Sequence, residues 1–189
     1  MLKVGIIGCG SIAKQRHGYE YFHNSDVEIK GFYDLIPERA QALVDLYGGK
    51  VYAGVDELLA DPEIDAVSVC MANAFHAEIS IKALKADKHV LCEKPMAATP
   101  ADAKKMLEAR DRTGKMLTIG YQYRHFPENQ VAKKVVDSGA LGDVYYAEAT
   151  YLRRRGVPTW GVFTDKAKQG GGPLIDIGTH ALDLTLFLM

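Results

Sequence analysis

The chain has 189 residues, 48% of them hydrophobic and 25% charged, with a formal net charge of −1. That is a globular composition, and the near-neutral charge argues against general attraction to nucleic acid or to an anionic membrane. No apolar run approaches the roughly 18 residues a membrane span needs. The 3 cysteines, Cys9, Cys70 and Cys92, show no C-x-x-C pairing and read as reduced thiols of a cytoplasmic protein.

Lys3 to Ile7 is an apolar run of strand length, expected to open the chain with no room for a signal peptide before it. It stops at Gly8-Cys9-Gly10, and a helical pattern begins at Ser11. The result is G-x-G-x-x-A between a strand and a helix. Gly8 permits a tight turn, Gly10 lets the backbone approach a pyrophosphate, and Ala13 lets the helix lie close to the strand. The N–H groups of the first helical turn, Ser11, Ile12 and Ala13, then face the phosphates. The next apolar run, 27–33, ends at Asp34, roughly 20 residues past the turn, where a carboxylate accepts hydrogen bonds from an adenine ribose. A purely structural glycine turn is the plain alternative. No arginine follows Asp34 directly, which favours NAD, because a carboxylate repels a 2′-phosphate. Arg39, a little further on, keeps NADP open as the alternative.

The rest of the first part alternates. A helix runs from Ser11, its expected cap, to about His23, with Gly18 weakening its second half. A second helix is expected from Pro37 to Tyr47, with Leu43 and Leu46 facing inward and Gly48-Gly49 ending it. A short strand at 50–53 and a helical turn at 56–59 follow, stopped by Asp61-Pro62. Residues 66–71 form a near-continuous apolar strand, as expected of a parallel strand covered on both faces. A helix at 76–86 carries Ile79, Ala83 and Leu84 as its apolar stripe. A strand at 89–92, a helix capped by Thr99 and running to about Arg112, and a strand at 116–121 complete the pattern. Alternating strands and helices predict an α/β fold, a doubly wound parallel sheet of the Rossmann type, over residues 1–122.

Past that point the pattern changes. A helix at 127–138, a long strand at 144–155, a glycine- and proline-rich loop and a closing helix at 173–189 are expected. Too few elements are present for a core of their own. Residues 123–189 therefore read as the start of a second α/β domain, incomplete in this chain.

Three further patches carry chemistry. Glu93-Lys94-Pro95 follows the fifth strand, at the strand ends where open α/β sheets bind ligands. A lysine there can share a proton with a substrate oxygen, whereas a surface turn is the ordinary reading. Asp176 and His180 are four apart in a helical pattern and share one face, so the carboxylate can orient the imidazole as a general base. A helix-face hydrogen bond without chemistry is the alternative. A metal would need a third ligand; His125 is conceivable, but no ligand spacing supports it, so no metal is expected. Gly120-Tyr121-Gln122-Tyr123-Arg124 ends the sixth strand with phenol, amide and guanidinium groups suited to a polyhydroxylated substrate, or to interdomain packing. Of the lesser signals, Arg153 and Arg155 share a strand face and can grip an anionic substrate group, with a solvated strand end the ordinary reading; Trp160 can close over a pocket or simply pack, and the Lys94–Pro95 bond is a candidate for cis.

The glycine turn at 8–13, HVLCEKP at 89–95 and GGGPLIDIGTHALDL at 170–184, in this order, closely resemble the Gfo/Idh/MocA oxidoreductases. The resemblance implies an NAD(P)-dependent enzyme acting on sugars, inositols or their derivatives, with a nucleotide-binding domain followed by a domain built on a large open sheet. It implies Lys94 as the motif lysine, Asp176 as the substrate-orienting carboxylate and His180 as the acid/base. Where many members carry a proline–asparagine pair after the fourth strand, this chain has Ala72-Asn73 and then His76, which keep their places near the cofactor. Glu93 and Gln122 join the expected cofactor contacts; Tyr123, Arg124, Arg153 and Trp160 join the expected substrate contacts. Family members continue well beyond Met189.

The function expected is hydride transfer between nicotinamide and a secondary alcohol or ketone of a sugar or polyol, in a homo-oligomer, with no nucleic-acid or membrane partner. A catalytically incomplete nucleotide-binding module, and a reductase of a non-sugar carbonyl or diol, are the alternatives.

Overall fold

The computed structural model spans residues 1–189 and describes all of them except Arg153, Val157 and Trp160. It divides into two compact units, Met1–Ile119 and Gly120–Met189.

In the first unit, six parallel strands stand in the order β3-β2-β1-β4-β5-β6: β1 Leu2–Ile7, β2 Val27–Tyr33, β3 Lys50–Val51, β4 Ala66–Val69, β5 His89–Cys92 and β6 Leu117–Ile119. The order reverses between β1 and β4, paired at Val4↔Ala66 through Ile7↔Val69, so the switch point lies directly beyond Ile7. Such a switch opens a crevice at the carboxyl ends of the strands, where a ligand can bind. The alternation of β1 explains why the sheet is covered on both faces. Val4 and Ile6 pack with Phe32, Ala40 and Leu43, whereas Ile7 packs with Leu58, Val67 and Met106. Each of the larger of these side chains contributes about 1.5–3 kcal/mol by leaving water.

The helices are α1 at 11–22, α2 Pro37–Tyr47, α3 Val55–Ala60, α4 His76–Lys85 and α5 Pro100–Thr113. In α1 the stretch Ala13–Gly18 is π-helical, and Tyr19–Phe22 is α-helical. Gly18 admits the ring of Tyr47, which a Cβ there would meet at 2.6 Å. Lys14 N–H donates to the Gly10 carbonyl at 3.1 Å, so Gly10 holds the capping position and Ser11 is the first helical residue, not the cap. Thr99 does cap α5, accepting from Asp102 N–H, and Gly114 ends that helix in the left-handed region. Leu43 is buried as expected, but Leu46 is exposed: the inward stripe of α2 runs through Ala40, Leu43, Val44 and Tyr47, and Leu46 lies beside it.

The second unit contains a 3-10 turn Gln122–His125, α6 Pro127–Asp137, the short α7 Lys166–Gln169, and α8 at 173–188. Leu174–Gly178 of α8 is π-helical and Thr179–Leu188 α-helical. The strand expected at 144–155 is not formed by the described residues there, and Tyr145 and Leu152 are exposed. A strand needs a neighbour for its ladder, and no other strand exists among the described residues of this unit. The expected role of Arg153 as the partner of Arg155, and that of Trp160, lie outside the described residues. No helix among the described residues is long and apolar enough to cross a membrane.

Candidate active site

The first half of the site is the turn after β1. Gly8 has φ +94°, and a Cβ there would stand 2.7 Å from the Cys70 backbone, so only glycine fits. A Cβ on Gly10 would meet nothing within 4 Å. The turn is therefore closed at Gly8 by the chain leaving β4 and open at Gly10. The first residues of α1 behind it, Ser11 and Ile12, are exposed, and Ala13 is fully buried against the sheet.

Asp34, just past β2, accepts from Cys9 N–H at 2.7 Å and from Ile36 N–H at 2.9 Å. A carboxylate offers about four acceptor positions, so two remain for ribose hydroxyls. This turn, with free space over Gly10, donors at the head of α1 and an anchored carboxylate beside it, fits a dinucleotide. Arg39 is exposed on α2. The thiols beside the turn are not nucleophiles: burial and the Asp34 charge push Cys9 up to about 12, and burial raises Cys70 well above its ordinary value.

The second feature is the turn after β5. The Lys94–Pro95 peptide is cis. His76, 1% exposed at the start of α4, has Nδ1 2.7 Å from the Pro95 carbonyl and Nε2 3.0 Å from the Met71 carbonyl. Its ring thus ties the segment leaving β4, which carries Ala72 and Asn73, to the segment leaving β5. Both ring nitrogens point at backbone oxygens, and burial lowers its pKa. On the other side, Glu93 meets His17 of α1, with His17 Nε2 2.9 Å from Oε1. Glu93 Oε2 accepts from Lys94 N–H at 3.2 Å. Burial alone would raise the Glu93 carboxyl, but the hydrogen bonds from His17 and Lys94 and the nearby positive charge hold it below the ordinary range.

The second unit brings the other two patches together. His180, 8% exposed on α8, stacks on Tyr123 with ring centroids 4.7 Å apart and planes at 22°, and Tyr121 meets it edge-on at 6.3 Å. Asp183 accepts from Arg124 Nε at 2.8 Å and from an Arg124 terminal nitrogen at 2.5 Å. Arg124 also accepts, through its carbonyl, from the Gln130 amide. Gln122 is exposed. An open hollow of about 570 Å³ is walled by Tyr151, Phe163, Gly172, Pro173, Asp176 and Ile177, a size ordinary for small-molecule pockets. No group of three or more metal-ligating side chains occurs among the described residues.

Sequence reasoning did not single out His17, Ser68 or Asp183. The signal for Asp183 was its place three residues past His180, on the same helix face. His17 and Ser68 carry no local signal, because they meet only through the sheet.

Residues 2–121 match the model of an oxidoreductase family with an NAD-binding Rossmann fold, and residues 129–189 match a GFO/IDH/MocA C-terminal domain. The chain belongs to the Gfo/Idh/MocA oxidoreductase family. It is 42% identical over 189 residues to a D-glucoside 3-dehydrogenase of Escherichia coli, covering 100% of this chain and 54% of that protein. It is 33% identical over 195 aligned positions to a glucose-6-phosphate 3-dehydrogenase of Bacillus subtilis, again covering 100% and 54%. A crystal structure of a 3-ketoreductase from Actinomadura kijaniata, in complex with NADP and TDP-benzene, superposes with a TM-score of 0.83 at 26% identity, covering 99% of this chain and 57% of that one. The chain spans about half the length of the relatives it matches. Its first unit is the NAD-binding Rossmann domain of this Gfo/Idh/MocA chain.

Proposed function

We propose that the chain serves an NAD-dependent oxidation of a secondary ring alcohol, and that its substrate is a glucoside or a close derivative oxidised at the 3-hydroxyl. The observation that carries the cofactor half is the turn that Gly8 closes and Gly10 leaves open, beside an Asp34 with acceptor positions to spare. Relatives named for 3-dehydrogenation support the substrate half. Residues 1–122 serve the cofactor and 123–189 begin the substrate domain.

When bound, NAD supplies the acceptor for the hydride leaving the alcohol carbon. In this reading Gly8 to Ala13 seat the pyrophosphate, Asp34 holds the ribose, and Ala72, Asn73, His76, Glu93 and Gln122 line or support the path to the nicotinamide. Asp34 leaves little place for a 2′-phosphate, so NAD is favoured, with Arg39 the group that would admit NADP. His180 takes the hydroxyl proton as the C–H bond breaks. The Lys94 ammonium stabilises the oxygen as the carbonyl forms, Asp176 orients the sugar from the wall of its hollow, and Tyr123 and Arg124 hold the imidazole helix in place. Exposed Tyr145, Tyr146 and Tyr151 support a homo-oligomer in which this stretch is covered, which light scattering tests.

The test is to incubate the protein with NAD and methyl glucosides, glucose 6-phosphate or inositols and to follow the reduced nicotinamide. The reading predicts turnover on a glucoside, with a 3-keto product, and a loss of about 10² to 10⁴ in rate for His180→Ala. Saturable NAD binding with no turnover on any of them would contradict the catalytic part and leave a nucleotide-binding module.

A further inference from the structure

The Glu93–Lys94–Pro95 turn is held by a chain of buried and half-buried polar groups that begins far from it in sequence. Tyr21 Oη lies 2.7 Å from Ser68 Oγ, Ser68 Oγ lies 3.0 Å from His17 Nδ1, and His17 Nε2 lies 2.9 Å from Glu93 Oε1. Glu93 then uses its second oxygen for Lys94 N–H. An ionised carboxylate only accepts, so His17 Nε2 carries the proton toward it. Ser68 Oγ bridges His17 Nδ1 and Tyr21 Oη. Every member is hydrogen-bonded, and the chain ends on the carboxylate. Ser68 is 1% exposed and His17 8%. A buried imidazole–carboxylate pair adds little stability over apolar side chains of the same volume, so stability alone does not account for it. What it does add is direction and fixed distance.

The placement says what that direction serves. His17 sits on α1, the helix whose first turn backs the open glycine turn, on the same inward face as Ala13. It reaches past β4 to the end of β5. The element that seats the phosphates and the turn that carries Lys94 are thereby joined by side chains as well as by the sheet. His76 holds the same turn from its far side through the Pro95 carbonyl.

We propose that His17 is a positioning residue for Lys94: through Glu93 it fixes the turn that carries the lysine to the helix that seats the cofactor. This rests on the reading of Lys94 as the lysine that acts on the substrate oxygen. His17 touches neither substrate nor cofactor in this account; it acts through Glu93.

The experiment compares wild type, His17→Ala and His17→Gln by amide hydrogen exchange and by steady-state kinetics. In His17→Ala the Lys94 amide exchanges at least about tenfold faster, while Ile29 and Phe32 in β2 keep their protection. His17→Gln, whose side-chain amide can still donate to Glu93, recovers most of the protection. Turnover in His17→Ala falls by up to about 10²-fold with the KM for NAD held within about twofold, the pattern of a displaced group and not of a damaged nucleotide seat. Lys94 exchange within about twofold of wild type in a folded His17→Ala protein overturns the proposal. Should His17→Ala not fold, Ser68→Ala removes the hydroxyl that orients the ring; unchanged Lys94 exchange there overturns it equally. The exchange measurement needs no turnover. A wild-type protein that turns over no substrate defeats the proposed function and leaves this test in force, whereas normal turnover with a loosening-free His17→Ala defeats this inference alone.

Discussion

The imidazole of His180 lies against the phenol of Tyr123, ring centroids 4.7 Å apart and planes at 22°. A ring stacked on its face in this way is biased against swinging about its Cβ, so the stack favours one orientation of the imidazole. Stacking of this kind is worth about 0.5–1.5 kcal/mol beyond the area it buries.

Tyr123→Phe keeps the ring face and is expected to leave activity and stability close to wild type. Tyr123→Ala frees the imidazole and should lower turnover by about tenfold or more, with melting lowered by about 1–3 kcal/mol equivalent. Paired kinetics and thermal denaturation of the two variants check this. Equal losses in both would mean that the hydroxyl, not the stack, matters.

Gly8 and Gly10 should separate fold from binding. Gly8→Ala combines a left-handed backbone with a Cβ 2.7 Å from the Cys70 backbone, and is expected to destabilise by about 2–4 kcal/mol. Gly10→Ala meets no protein atom, so stability should stay within about 0.5 kcal/mol while NAD affinity drops at least about tenfold. Urea unfolding and calorimetric titration read the two effects independently.

Arg124 and Asp183 form a two-point ion pair with the carboxylate largely buried and the guanidinium partly exposed. Removing either partner strands the other. Asp183→Asn and Arg124→Met are each expected to destabilise by about 1–3 kcal/mol, and the double variant should be less than additive. A double-mutant cycle measures the coupling; full additivity would show that the pair is not coupled in solution.

Asp61 predicts a pH signature in the first unit. It accepts from Tyr52 Oη at 2.7 Å, from Glu63 N–H at 2.9 Å and from Lys50 at 3.2 Å, and the Tyr52 bond, followed by the Glu63 one, holds its carboxyl down from 3.8 to about 2. The folded value lies below the unfolded one, so the contribution is complete above about pH 4 and disappears as pH falls toward about 2. Asp61→Asn should therefore destabilise at neutral pH, with the gap to wild type closing as the pH falls through that window. Urea titrations across the range check this, and a gap constant with pH would contradict it.

The first unit was legible in the sequence because its signals are local. A parallel strand covered on both faces is a short apolar run, as at Ala66–Val69, and the glycine turn and Asp34 mark their own positions. The described residues of the strand expected at 144–155 form none, because an extended apolar pattern states a preference while a strand requires a partner, and the described residues of that unit supply none. The polar chain from Tyr21 through Ser68 and His17 to Glu93 was invisible for a different reason. Its members lie on α1, on β4 and after β5, and only the crossover order of the sheet brings them within hydrogen-bond reach. The pairing of Tyr123 with His180 joins two patches that the sequence had marked separately. Their residue types were readable; their contact was a property of packing.

The most direct measurement is a calorimetric titration of NAD and NADP into the wild-type chain and its Asp34→Ala variant. The account predicts saturable NAD binding at one site per chain, weaker binding of NADP, and a loss of the preference for NAD in Asp34→Ala. Absence of saturable binding of either nucleotide to the folded wild-type protein, or an Asp34→Ala protein with unchanged affinity and preference, would contradict it.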